Sequence, residues 1–243
     1  MVALRFALPL LVSLLAGCGV GLDYSAHTTG DSAVDPAGAH EDTADADDTA
    51  AEDTAPDDTG EPPEDTDTGP RIAPPEPGEL VISEALFDPA AVDDGDGEWI
   101  EVVNVSDHTL DLGELWLGDD GVDGVALDAG FTLPAGAYAV LCANGDAAQN
   151  GGVTCDGSYR YKSTGGGLAL ANTGDELVLS RTSGGDVVDR FAWGASFVSA
   201  GVAMGVRPGR LTAEANDPES AWCEQTARLS GGDHGTPGRE NGC

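Results

Sequence analysis

Basic side chains are scarce. Ten Lys and Arg stand against 44 Asp and Glu in 243 residues, giving a formal net charge of −34. Nucleic-acid affinity comes from Lys and Arg displacing counterions from phosphates, so no nucleic-acid partner is expected. The chain also lacks an apolar stretch of the roughly 20 residues that a spanning helix needs; the run at residues 6–15 is about half that length and is broken by Pro9 and Ser13. Close C-x₂₋₄-C pairs, the usual mark of a zinc site, are missing among the five cysteines. His108 and His234, the two histidines after residue 79, sit in no recognised nucleophile motif, which leaves a catalytic triad without support. No convincing long amphipathic helix is present.

What is present begins with a leader. Met1 to Arg5, the short apolar run and the small residues Ala16-Gly17 form a signal-peptide layout. Leu15-Ala16-Gly17-Cys18 closely resembles the bacterial lipobox, in which the cysteine thiol receives a diacylglyceryl group before cleavage. The resemblance implies removal of residues 1–17 and lipidation of Cys18, so the membrane is one expected partner. Gly19 rather than Asp after that cysteine is similar to outer-membrane sorting signals, which implies a lipid-anchored bacterial envelope protein of the outer membrane.

Assigning Cys18 to the lipid leaves an even set: Cys142, Cys155, Cys223 and Cys243. Four cysteines allow three pairings. Local loop closure favours Cys142 with Cys155 and Cys223 with Cys243, without excluding the others. Each bridge would contribute on the order of 2–4 kcal/mol.

Residues 19–79 hold 18 of the acidic side chains and one basic residue, Arg71, whereas residues 80–243 hold 26 acidic and eight basic. Within the first stretch an acidic-acidic-Thr unit recurs at Glu41-Asp42-Thr43, Asp47-Asp48-Thr49, Glu52-Asp53-Thr54, Asp57-Asp58-Thr59 and Glu64-Asp65-Thr66. With few large apolar side chains and much like charge, residues 18–78 are predicted to be a disordered stalk.

After Gly78 the pattern changes to short apolar runs between Gly, Asp and Asn: 80–87, 99–105, 110–117, 137–143, 168–171, 176–180, 187–193 and 202–206. Several alternate, as in Leu80, Ile82, Glu84, Leu86 and in Trp99, Glu101, Val103. About eight strands predict one all-β domain over residues 79–243.

Specific segments then add to periodicity. Asp96-Gly97-Glu98-Trp99-Ile100-Glu101-Val102-Val103-Asn104 resembles D-G-E-W-I-E-L-x-N of the lamin-tail domain. Leu112-Gly113-Glu114-Leu115-Trp116-Leu117-Gly118-Asp119 is similar to its L-x-G-W-x-L-x-D, with Leu115 in the usual Trp place. Phe131-Thr132-Leu133-Pro134-Ala135-Gly136-Ala137-Tyr138-Ala139-Val140, Asn172-Thr173-Gly174-Asp175-Glu176-Leu177-Val178-Leu179, Val188-Asp189-Arg190-Phe191 and the closing Thr236-Pro237-Gly238 resemble later segments in the same order. The resemblance implies an immunoglobulin-like β-sandwich with an insertion at 144–167. It also implies an interaction surface rather than an enzyme.

Candidate chemistry is local. Asp93, Asp94, Asp96 and Glu98 form an acidic Gly-containing loop that could offer oxygens to Ca²⁺, though it fails the EF-hand spacing and Asp and Gly are also ordinary turn residues. Glu98 and Glu101 are three apart and so lie on opposite strand faces, which argues against an acid/base pair; Glu101 is read as a strand residue that satisfies a buried loop. The four tryptophans are read as core. In the insertion, Tyr159 and Tyr161 interleave with Arg160 and Lys162 and suit a contact loop. The leading expectation is a non-catalytic envelope lipoprotein presenting an adhesion or scaffold module to an envelope protein or glycan. A carbohydrate-binding module or degenerate hydrolase, and a Ca²⁺-stabilised structural protein, stand as alternatives.

Overall fold

The computed structural model describes residues 71–121, 123–127, 130–162 and 166–243. The expected leader at 1–17, lipidated Cys18 and nearly all of the 18–78 stalk lie outside them.

Thirteen strands follow one another among the described residues: β1 (Ile72–Ala73), β2 (Leu80–Leu86), β3 (Trp99–Asn104), β4 (Thr109–Asp111), β5 (Trp116–Gly118), β6 (Gly124–Ala126), β7 (Thr132–Leu133), β8 (Tyr138–Cys142), β9 (Gly157–Ser158), β10 (Gly174–Ser180), β11 (Val187–Gly194), β12 (Met204–Val206) and β13 (Trp222–Glu224). One helical turn, α1 (Asp94–Gly97), precedes β3. The strands form a six-stranded sheet ordered β13-β12-β2-β3-β8-β9, a four-stranded sheet ordered β11-β10-β5-β6 and a small sheet ordered β1-β4-β7. The two larger sheets enclose one core. Leu80, Ile82, Ile100, Val102 and Leu141 from the first meet Leu117, Leu177, Leu179 and Phe191 from the second. Burying each such side chain contributes about 1.5–3 kcal/mol. This is the immunoglobulin-like sandwich that the sequence implied.

The opposite face of the six-stranded sheet is covered too, so β2 and β3 are buried along their whole length. Leu86, Trp99, Val140 and Cys142 form a second cluster with Val153 of the insertion. A disulfide between Cys142 and Cys155, Cα atoms 6.0 Å apart, ties that insertion down. A second, between Cys223 and Cys243, ties the C-terminus to β13 with the same Cα separation. Both are the locally closed pairs.

Four expectations need correction. The alternation Leu80, Ile82, Glu84, Leu86 does not keep to one face. Ile82 pairs with Val102 but Glu84 with Glu101, so Ser83 is an extra residue in a bulge. A bulge shifts the period by one, and Leu86 therefore joins the outer cluster while Ala85 and Phe87 enter the core. The predicted strand at 110–117 is two strands in different sheets. Between them Glu114 adopts φ 61°, and Leu112 and Leu115 plug the core at 0% and 1% exposure. The folded unit also starts before residue 79, because Ile72 and Ala73 pair with Thr109 and Leu110. Residues 168–171 form no ladder beyond a bridge from Leu168 to Tyr161.

Candidate functional site

Among the described residues four carboxyl side chains are no more than 2% exposed: Glu84, Glu98, Glu101 and Asp189. A carboxyl removed from water survives by accepting hydrogen bonds, by taking up a proton, or both. Each here meets backbone from a distant part of the chain. The bulge at Ser83 sets Glu84 directly opposite Glu101, beneath the C-terminal segment. Glu84 accepts from Thr236 N at 2.7 Å and lies 2.5 Å from Thr236 Oγ1. Glu101 accepts from Gly238 N at 2.6 Å and from Ser83 Oγ at 2.7 Å. Burial pushes Glu84 up to about 7 and Glu101 to about 8, the neighbouring Glu84 adding to the latter. Thr236 Oγ1 is within reach of three acceptors, Glu84, Gln225 and Asn241, yet carries one proton. A protonated Glu84 donating to that hydroxyl completes the network.

Asp189 links the sheets. Its Oδ2 accepts from Ile82 N of β2 at 2.7 Å and from Asn216 Nδ2 at 2.8 Å, and burial lifts it to about 7. The Asn216 backbone carbonyl accepts from Trp222 Nε1 at 2.6 Å. Glu98 accepts from Leu170 N at 3.0 Å through Oε2; burial, reinforced by Asp94 and Asp175, raises it to about 9. Raised carboxyls suit general acid/base work when a substrate can reach them. These four are sealed from solvent and engaged with the loops they hold. Glu101 fills the loop-satisfying role read from the sequence. Glu84 and Asp189 were missed, though an Asp at two-residue strand spacing from both Val187 and Phe191 was the available signal.

The acidic loop is not a convergent ligand set. Asp93 precedes α1 and its carbonyl accepts from Asp96 N and Gly97 N. Asp96 accepts from Asn144 Nδ2 at 2.7 Å, Asp94 from Asn172 Nδ2 at 3.4 Å, and Glu98 points into the interior. Among the described residues, no group of three or more His, Cys, Asp or Glu is arranged to hold a metal ion. Calorimetry with Ca²⁺ and with chelator is expected to give the same melting temperature. A shift of several degrees would restore the loop as an ion site.

The tyrosines separate. Tyr159 is core, 2% exposed, with its amide bonded to Cys142 O at 2.9 Å and its phenol raised by burial. The expected contact role fails because the disulfide draws the chain alongside β8 and turns that ring inward. Tyr161 is half-buried and lies over Gly95. Lys162 pairs with Asp123. His108 is more than a turn residue: its side chain is 9% exposed, 3.8 Å from Glu79.

Trp99, Trp193 and Trp222 are buried, the last tilted 31° against Phe191 with 4.2 Å between ring centres. Trp116 differs. It stands on the outer face of the four-stranded sheet, opposite Ser180 and Ala126, and is only partly buried. Its indole rests on bare backbone: a Cβ on Gly118 would fall 2.7 Å from Nε1, and one on Gly124 2.6 Å from Cζ2. The ring borders a groove of about 490 Å³ shared with Asp119, Asp120, Ser180, Ser183 and Val187.

A family model for the lamin tail domain matches residues 73–195. The chain belongs to the lamin tail domain family. No curated protein and no solved structure matches it. The lamin tail domain is an immunoglobulin-like module and not typically a catalytic one. Its signature residues here have structural work: Glu98 and Glu101 of the D-G-E-W-I-E segment anchor loops, and Asp189 joins the sheets. The matched span of the lamin tail domain ends before β12, although β12 and β13 complete the six-stranded sheet.

Proposed function

We propose that this protein is a bacterial cell-envelope lipoprotein that carries its lamin tail domain as a non-catalytic interaction module. The observation that supports it is cysteine bookkeeping. Four of five cysteines are joined within the domain, and the fifth, Cys18, follows Leu15-Ala16-Gly17 at the end of a short apolar run. A diacylglyceryl group plus a further acyl chain holds a membrane stably, since each buried CH₂ contributes about 0.8 kcal/mol. The acidic stretch between Cys18 and the domain then serves as a spacer from the lipid surface, and an outer-membrane destination follows from Gly19. The partner is an envelope protein or glycan.

In a Gram-negative host, the mature protein is expected to partition into detergent and to carry a lipid-sized mass increment on its N-terminal peptide. Cys18→Ala should lose both while leaving the domain's melting temperature unchanged. A water-soluble wild-type product cleaved elsewhere would end this reading.

A further inference from the structure

The reading above leaves the ligand class open, and the groove beside Trp116 narrows it. Two glycines, Gly118 and Gly124, leave no side chain beneath the indole, so the ring is seated firmly on the sheet and part of it stays exposed. A firmly held aromatic ring offers apolar contact at little entropic cost. The rim is polar, and its carboxylates are already engaged. Asp119 Oδ1 accepts from Gly121 N at 2.8 Å and Asp123 N at 3.1 Å. Asp120 is paired with Arg190 at 2.8 Å, and Glu176 accepts from Asp120 N at 2.7 Å. Each such carboxylate keeps lone pairs for further hydroxyl donors, and Arg190 supplies donors. The Arg190 pairing offsets the negative charge that would otherwise favour a bare cation. An anionic ligand is disfavoured by the 26 acidic against eight basic residues of 80–243.

We infer that the Trp116 groove binds neutral carbohydrate, with the apolar face of a pyranose ring against the indole and its hydroxyls bonded to Asp119, Asp120 and the Arg190 pair. This rests on the interaction-module reading and names its ligand class.

The test is titration calorimetry on the full lipidated protein, in a detergent without a sugar headgroup, against hexamers of α-linked glucose, β-linked glucose and N-acetylglucosamine, with tetramethylammonium as a cation probe. At least one hexamer is expected to bind saturably. Trp116→Ala and Val187→Arg should each weaken it by about tenfold or more, and Trp116→Phe should retain it within about threefold. Val187 is 43% exposed, so its substitution obstructs the groove without touching the core. Binding of no hexamer, hexamer binding indifferent to Val187→Arg, or binding of tetramethylammonium alone overturns the inference. None of these results bears on the lipid at Cys18, whose own experiment decides the placement separately.

Discussion

A chain cut after residue 195, where the match to the lamin tail domain ends, is expected not to fold. The following 48 residues hold what the buried carboxyls require. Removing them takes away the Thr236 and Gly238 amides that meet Glu84 and Glu101, and Asn216, which meets Asp189. Stranding a buried polar group costs about 1–3 kcal/mol, and more when it is charged. Phe197 and Trp222 both leave an aromatic cluster that retains only Phe87, Phe191 and Trp193, a loss of the order of 3–5 kcal/mol for each by analogy with large-to-small core changes. Ser83 O loses its donor, Asn241 Nδ2, at 2.8 Å, and β2 loses its neighbour β12. Together these are comparable to the whole 5–15 kcal/mol by which domains are ordinarily stable. Near-ultraviolet circular dichroism and calorimetry should show no tertiary signal and no cooperative transition. Cys243→Ser, which removes only the second disulfide, should fold and lose about 2–4 kcal/mol. A cooperative transition near the wild-type temperature in the shortened chain would show that residues 196–243 are an accessory rather than part of the domain.

The strands were legible because their apolar residues alternate and their turns carry Gly, Asn and Asp; β2, β3, β8, β10 and β11 stand close to where the pattern put them. What escaped was non-local. Nothing near Ser83 announces a bulge, since the extra residue is demanded by the pairing of Glu84 with Glu101 across the sheet. Similarly, 110–117 reads as one apolar run, and the turn at Glu114 exists because Leu112 and Leu115 must both reach the core while the chain changes sheets. The acidic residues 93–98 and the tyrosines 159 and 161 drew attention through composition. Their roles depend on contacts with residues 144, 170 and 172 and on the 142–155 disulfide, which composition does not encode. The Trp116 groove needed Gly118 and Gly124 to be seen together under one ring, and they meet only once β5 and β6 pair.

The buried carboxyls should also make the protein unusually sensitive to alkali. Unfolded, Glu and Asp titrate near 4; folded, Glu84 and Asp189 sit at about 7, Glu101 at about 8 and Glu98 at about 9. As pH rises the unfolded chain releases its protons first. Stability is therefore greatest below the unfolded value, falls as pH climbs, and levels off only past the folded values. The melting temperature is expected to be lower at pH 9 than at pH 5 by about 10 °C or more. General repulsion in a chain of net charge −34 acts in the same direction, so one substitution isolates the buried contribution. Glu98→Gln keeps an acceptor for Leu170 N and cannot ionise in the unfolded chain. At pH 7, which lies below the folded value of about 9, that removes a penalty of about 3–4 kcal/mol, set by the gap between the unfolded value and pH 7. The variant should melt roughly 5–10 °C above wild type at pH 7, match it near pH 4, and show a shallower decline between. Glu214→Gln, at an exposed position, should change none of this. If Glu98→Gln is instead less stable at pH 7 and leaves the pH slope intact, Glu98 is ionised in the fold and a cation has to be sought beside it.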